Sequence, residues 1–428
     1  MDAFLVRGPS PLSGSVRASG AKNAALPALA AALLTSEPVT LENLPDVADV
    51  KTMGVLLSGM GVALEPGGPG RLTLRAGSIS STEAPYDLVR TMRASILVLG
   101  PLLSRFGEAR VSLPGGCAIG VRPVDLHLSA MEAMGARIAV EKGYIHAHVS
   151  RISAAGGRLS GAEITFPQPT VTGTENVLFA AAFARGRTVL RNAALEPEIG
   201  DVAQLLLAMG ARIEGAGTRT IAVEGVERLG GTGARPHAVI PDRIETGTYL
   251  AAGAISGGDV SVTGARPGDL TAFLDALRRA GADVAAGADS IRVRRTGPLR
   301  ATDIRTAPHP GFPTDLQAQF LALMTQAEGV SRIVETIFEN RFLHVGELVR
   351  LGADVKLDAH TAVVRGPVAL EGAPVTASDL RASAALVLAG LAAKGETRVR
   401  RIYHLDRGYS RMDETLRRLG ASIERIPG

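Results

Sequence analysis

The chain has 428 residues, 46% hydrophobic and 21% charged, which is too long for one ordinary core and sets an expectation of two domains of about 200 residues each. Its 46 basic and 42 acidic side chains leave a formal charge of +4, too balanced to predict nucleic-acid binding but compatible with local basic sites for anionic metabolites. A single cysteine excludes internal disulfides and CxxC-type metal or redox sites.

Along the chain, the apolar stretch Ala24 to Leu34 reads as a buried helix, as does Ala382 to Ala393. Both fall short of the roughly 20 residues that span a bilayer. The opening MDAFLVRGPS lacks the parts of an export signal, so the expected location is the cytoplasm, with no membrane segment. Further helices are expected at Arg93 to Leu103, Glu175 to Ala184, Glu245 to Ile255, Thr314 to Met324 and Leu380 to Leu391. A strand follows most of them, at Val39 to Leu41, Ala109 to Val111, Thr188 to Leu190, Val260 to Val262 and Thr397 to Arg400.

A second, glycine-terminated pattern recurs with them: Met60-Gly61-Val62, Met134-Gly135-Ala136, Met209-Gly210-Ala211, Ala280-Gly281-Ala282, Leu351-Gly352-Ala353 and Leu419-Gly420-Ala421. The spacing is about 70 residues. Helix-period apolar runs such as Val124 to Met134 and Leu270 to Leu277 precede the glycine, which therefore reads as a helix C-cap. Six α/β units result, three to a domain. The expected division is near Gly230 to Pro236, giving one domain at 22–236 and a second made of 1–21 and 237–428.

Several residues could carry chemistry. Cys117 lies in Leu113-Pro114-Gly115-Gly116-Cys117-Ala118-Ile119-Gly120-Val121-Arg122-Pro123. Free cysteines are usually buried and idle, whereas three glycines around this one argue for an exposed loop. Lys22 and Asn23 begin the first apolar helix, where backbone N–H groups and the dipole favour an anion, although on local sequence a solvated lysine beside a turn is the plainer reading. Asp315, in Phe312-Pro313-Thr314-Asp315, suits a general base, but equally complements a helix dipole after a Thr cap. Arg93, Arg122, Arg341, Arg381 and Arg407 adjoin polar motifs and could fork onto carboxylate or phosphate, or simply form structural ion pairs. Arg398, Arg400 and Arg401 read as a solvated strand face, and His146 and His148 lack the partners of a structural metal site.

Ten blocks together give the chain a family. GAKNAALP at Gly20, TMRAS at Thr91, LPGGCAIGVRPVDLH at Leu113, TGTEN at Thr172, EPEI at Glu196, PDRIETGTYL at Pro241, RTAPHPGFPTDLQAQF at Arg305, ETIFENRF at Glu335, DLRAS at Asp379 and RIYHLDRGY at Arg401 resemble the UDP-N-acetylglucosamine 1-carboxyvinyltransferases, also called enolpyruvyl transferases, over essentially the whole chain. The resemblance implies a two-domain inside-out α/β barrel, three repeated units per domain, with helix N-termini directed at a cleft that takes phosphoenolpyruvate and UDP-N-acetylglucosamine. No cofactor and no metal are implied; neither is any nucleic-acid partner, and an oligomeric state does not follow.

By the same resemblance Lys22, Asn23, Arg122 and Arg407 would hold phosphoenolpyruvate. The UDP-sugar would contact Asn23, Arg93, the run Arg122, Pro123, Val124, Asp125 and Leu126, then Thr170, Val171, Asp315 and Ile337. Cys117 would be the general acid and Asp315 the residue beside the sugar hydroxyl, with Asp379 and Arg381 in support. A cysteine rather than aspartate at 117 implies sensitivity to fosfomycin. Thr170 departs from the serine usual in the family but keeps the hydroxyl. The related 5-enolpyruvylshikimate-3-phosphate synthases share architecture and chemistry but not the cysteine loop. A substrate-binding paralogue without turnover is the non-enzymatic alternative, against which the intact Lys22, Cys117, Asp315 and Arg407 set speaks.

Overall fold

The computed structural model describes residues 2–113, 124–150 and 157–428. Its contacts divide them into two compact units, one comprising 20–113, 124–150 and 157–240, the other 2–19 and 241–428. Each unit has its own hydrophobic core.

The centre of each unit is helical. Lys22–Ala31, Leu99–Phe106 and Val171–Ala182 occupy one core, and Arg243–Ile255, Gln317–Met324 and Leu380–Ala392 the other. Composition explains why: from Ala24 to Ala31 and from Ala382 to Leu391 every residue is buried, and a helix apolar on all sides has no face to give to water. Alanine and glycine also let these helices approach closely. A Cβ on Gly390 would come within 3.3 Å of Val6, and one on Gly253 within 2.9 Å of Val260.

Six peripheral helices follow in alternation: Ala48–Gly59, Asp125–Ala133, Pro197–Ala208, Thr271–Arg279, Val345–Arg350 and Met412–Arg418. The glycine after each adopts the left-handed conformation, at Gly61, Gly135, Gly210, Gly281, Gly352 and Gly420, with φ between 90° and 101°. That conformation turns the chain from helix into strand and disfavours any side chain.

Six small sheets, each open among the described residues, cover the helices. One order recurs. Glu83–Ala84 runs parallel to Glu108–Ser112, which is antiparallel to Tyr144–Val149, itself antiparallel to Ala136–Glu141. Ala109 and Val111 in the one strand and Ile145, Ala147 and Val149 in the other are buried, so one face meets helices and the other water. In the last sheet the N-terminal strand Asp2–Gly8 lies between Gly395–Arg400 and Ser422–Pro427, and Ser13–Arg17 runs parallel to Asp259–Thr263. Helices inside and sheets outside make this the inside-out α/β arrangement implied by the motif resemblance. Arg398 and Arg400 alternate with buried Thr397 and Val399, the solvated strand face expected of them.

Candidate active site

In the unit containing residues 20–240, Lys22 is the first residue of an inner helix and Asn23 the second. Pro27 inside that helix supplies no N–H to the Asn23 carbonyl four residues back. Lys22 is not a solvated lysine. Its Nζ lies 3.1 Å from Asp49 Oδ2, and the two side chains are only 12% and 6% exposed. Asp49 stands in the first turn of the peripheral helix Ala48–Gly59, so an ion pair joins two helix N-termini. The preceding Gly20 is required by packing, because a Cβ there would fall on the Asn43 carbonyl oxygen. Ala21 then donates its N–H to the Ile240 carbonyl at 2.7 Å.

Arg93 opens the 3-10 segment Arg93–Val98 that leads into Leu99–Phe106. Val124 is buried, while Asp125 and Leu126 begin the helix Asp125–Ala133. Thr170 caps the inner helix that starts at Val171, its Oγ1 accepting from Gly173 N at 3.3 Å. The threonine thus supports the helix N-terminus as a serine would. Cys117, Arg122 and Pro123 lie outside the described residues. Behind these positions sits Glu175, fully buried; burial, with the Glu198 and Glu196 carboxylates adding to it, pushes its carboxyl well above the ordinary range.

The other unit contains a tightly bonded charge cluster. Asp315 Oδ1 accepts from Arg341 Nη2 at 2.6 Å and Oδ2 from Arg381 Nη2 at 2.9 Å. Both arginine side chains are about 5% exposed or less, so the carboxylate is the counter-charge that makes their burial tolerable. Arg381 Nη1 donates to the Tyr409 hydroxyl at 3.2 Å, which lies 2.9 Å from Thr248 Oγ1 and 3.3 Å from Gln319 Nε2. Burial disfavours the Arg381 charge, yet Asp315, Tyr409 and Asp242 more than offset it and hold its pKa above the usual arginine value. Asp315 is therefore not a mere dipole-complementing residue after a Thr cap; the cap residue of its 3-10 turn is Pro313.

Asp379 acts locally as an N-cap, accepting from the backbone N–H groups of Arg381 and Ala382 at 2.9 and 3.0 Å. Arg381's guanidinium pairs with Asp315. Ile337 is placed by its backbone, which donates to Glu335 Oε1 at 2.7 Å, while Glu335 Oε2 accepts from Thr314 at 2.8 Å. Arg407 ends the 3-10 segment Ile402–Arg407, two residues before the buried Tyr409. The local sequence singles out neither Glu335 nor Tyr409 and presents Arg341 only as one of several arginines beside polar motifs. The signal for them is their place in the ETIFENRF and RIYHLDRGY blocks. Among the described residues no group of three or more His, Cys, Asp or Glu side chains is arranged to hold a metal ion.

The sequence model of the EPSP synthase (3-phosphoshikimate 1-carboxyvinyltransferase) family matches residues 6–416. The chain is 56% identical over 427 residues to the UDP-N-acetylglucosamine 1-carboxyvinyltransferase of Magnetococcus marinus and 57% identical over 432 residues to that of Anaeromyxobacter sp. (strain K), covering all of both chains in each case. The chain belongs to the UDP-N-acetylglucosamine 1-carboxyvinyltransferase family. Among solved structures, the enolpyruvyl transferase NikO from Streptomyces tendae superposes with a TM-score of 0.86 at 30% identity, over 100% of this chain and 99% of that one. An EPSP synthase from Acinetobacter baumannii, at 19% identity and a TM-score of 0.75 over the full length of both chains, shares the fold.

Proposed function

We propose that the chain transfers the enolpyruvyl group of phosphoenolpyruvate to the 3-hydroxyl of UDP-N-acetylglucosamine, releasing phosphate, as the first committed step of peptidoglycan precursor synthesis. The observation that carries this reading is the 56–57% identity, without truncation on either side, to relatives bearing that name. Lys22, Asn23, Arg122 and Arg407 are assigned to phosphoenolpyruvate, with Asn23 again, Arg93, the run 122–126, Thr170, Val171, Asp315 and Ile337 assigned to the UDP-sugar. The two compact units are taken as the enzyme's two domains. Such substrates place the reaction in the cytoplasm; among the described residues no helix is long and apolar enough to cross a membrane.

In the reaction the sugar oxygen adds to C2 of phosphoenolpyruvate and loses its proton, while C3 gains one from the Cys117 thiol. A tetrahedral phosphate adduct forms. The C2–O bond to phosphate then breaks as a proton leaves C3, restoring the vinyl group and releasing inorganic phosphate. The cations offset the substrate's phosphate and carboxylate charge through both steps. Asp315 is assigned the hydroxyl proton. Each of its oxygens accepts one bond from a buried arginine, and a carboxylate oxygen has a second lone pair with which to meet the hydroxyl.

The test is phosphate release from phosphoenolpyruvate with UDP-N-acetylglucosamine, beside shikimate 3-phosphate, for wild type and Cys117→Ser. The expected result is an enolpyruvyl mass gain on the UDP-sugar, greatly reduced in the serine variant, with fosfomycin adding its mass to wild type alone. Turnover with shikimate 3-phosphate instead, or folded protein silent with both acceptors, would overturn the reading.

A further inference from the structure

His127 is buried, with one polar partner on each ring nitrogen: Nε2 lies 3.1 Å from Thr172 Oγ1 and Nδ1 lies 2.9 Å from Asn176 Nδ2. The network fixes its tautomer. Gly100 N–H is a donor and meets Asn176 Oδ1 at 2.8 Å, so the amide's other end must be the NH2 group. That group donates one hydrogen to the Ile96 carbonyl at 3.1 Å and the other to His127 Nδ1. Nδ1 is therefore an acceptor, and the ring proton sits on Nε2, directed at Thr172. A second proton on Nδ1 would face a donor. Burial, with the Arg93 guanidinium adding to it, accordingly holds the His127 pKa down to about 4.

The partners come from three of the segments of this unit to which the UDP-sugar is assigned. His127 is the residue after Leu126 and donates its own N–H to the Val124 carbonyl at 2.9 Å. Thr172 follows Thr170 and Val171, and Ile96 lies in the segment opened by Arg93. Gly100 completes the set, because a Cβ there would stand 2.5 Å from the Asn176 carbonyl oxygen and 2.9 Å from Oδ1.

We infer that His127 is a positioning residue for the nucleotide-sugar, its neutral Nε2–H imidazole locking the segments 93–98, 124–126 and 170–172 in one register with Asn176 and Gly100 as its support. The inference rests on the proposed function and concerns binding of one substrate only. Two bonded nitrogens fix the ring against rotation, and an Asn rather than an acid as partner keeps it uncharged.

The test is calorimetric binding of UDP-N-acetylglucosamine together with the KM for phosphoenolpyruvate, for wild type, His127→Leu, His127→Gln and Asn176→Asp. The leucine variant is expected to weaken UDP-sugar binding about tenfold or more, as lost preorganisation does, with glutamine recovering part of it and the phosphoenolpyruvate KM staying within about twofold. Asn176→Asp places an acceptor against Nδ1 and favours imidazolium. Its UDP-sugar affinity should acquire a pH dependence near neutrality that wild type lacks, which a purely structural role would not produce. Unchanged UDP-sugar affinity in the leucine variant, an equal shift of both substrates, or a pH-independent Asn176→Asp protein overturns the inference. If the leucine variant does not fold, the aspartate variant and the histidine 15N spectrum, expected to show the Nε2–H form through pH 6–8, decide it. Wild type that keeps this tautomer and binds no UDP-sugar overturns the proposed function instead, and the ligand assigned here with it.

Discussion

Asp315→Ala should destabilise the unit that contains it well before any question of chemistry arises. Arg341 and Arg381 are about 5% exposed or less and share this one carboxylate, through contacts of 2.6 and 2.9 Å. Removing one partner of a buried pair typically costs about 3–5 kcal/mol, because the remaining charge stays desolvated. Asp315 itself is 26% exposed, so water can enter the space it leaves and the lower end, about 3 kcal/mol, is the working figure. For a unit of this size that corresponds to a fall in Tm of about 6–12 °C. Differential scanning calorimetry of wild type, Asp315→Ala, Arg341→Met and the double variant measures it. The double variant should be less destabilised than the sum of the singles, since removing Arg341 relieves part of what losing Asp315 creates. A Tm for Asp315→Ala within about 1 °C of wild type, or strict additivity in the cycle, would refute the view that the carboxylate makes these arginines' burial tolerable.

Further outcomes follow from other buried groups. Glu245 accepts from Ser19 N at 2.7 Å and Oγ at 3.2 Å, but burial and the Asp242 carboxylate push its pKa up to about 7 from an ordinary 4.5. Its contribution to stability is therefore full below pH 4.5 and lost as pH rises to about 7; Glu245→Gln should remove a slope of at most about 1.4 kcal/mol per pH unit in that window, read from urea midpoints. His344 has the opposite sign. Burial, with Arg341 adding and Asp379 opposing, brings it down from 6.5 to about 4, so its contribution is present above pH 6.5 and lost as pH falls to about 4. His344→Gln should flatten the acid limb of the same curve. Gly20→Ala should cost about 3 kcal/mol, the upper end for overpacking, because the obstacle is a backbone carbonyl that no rotamer change can move; circular dichroism melts would show little change if Gly20 instead served only a substrate.

Much of this was legible beforehand because it is local. The six left-handed glycines occupy the repeat positions read from their spacing, and the all-apolar helices fell in the centre. Where a helix was read too simply, a local reason exists. Arg93 to Leu103 is not one α-helix: Pro101 has no N–H for the Leu97 carbonyl and its ring crowds it, and Arg93–Val98 is 3-10. What stayed hidden is long-range. Nothing in the composition around Lys22 points to Asp49, and nothing around Asp315 distinguishes a dipole-complementing carboxylate from one held between arginines 26 and 66 residues away. The local reading of Lys22 as solvated missed for that reason: proximity to another helix's first turn is made by the fold.

The distribution of polar residues along the inner helices shows why chemistry gathers at one end of them. Lys22 and Asn23 open Lys22–Ala31, Glu245 is third in Arg243–Ile255, Gln317 and Gln319 are first and third in Gln317–Met324, and Arg381 is second in Leu380–Ala392. Beyond the first two turns each of these helices is apolar. A polar group midway along a helix buried on all sides could find no water and few partners. The first turn, by contrast, offers free N–H groups, a neighbouring loop and a positive dipole end. Asp315 with its two arginines and Lys22 with Asp49 are one solution repeated, polar side chains admitted to a helical core near N-termini and bonded to another segment, while Asn176, sixth in Val171–Ala182, is admitted midway because His127, Gly100 and Ile96 bond it fully. A fold with its helices inside therefore favours polar groups towards helix starts, and where they are bonded to other segments, as Lys22, Asp315 and His127 are, they are held in place by the fold itself.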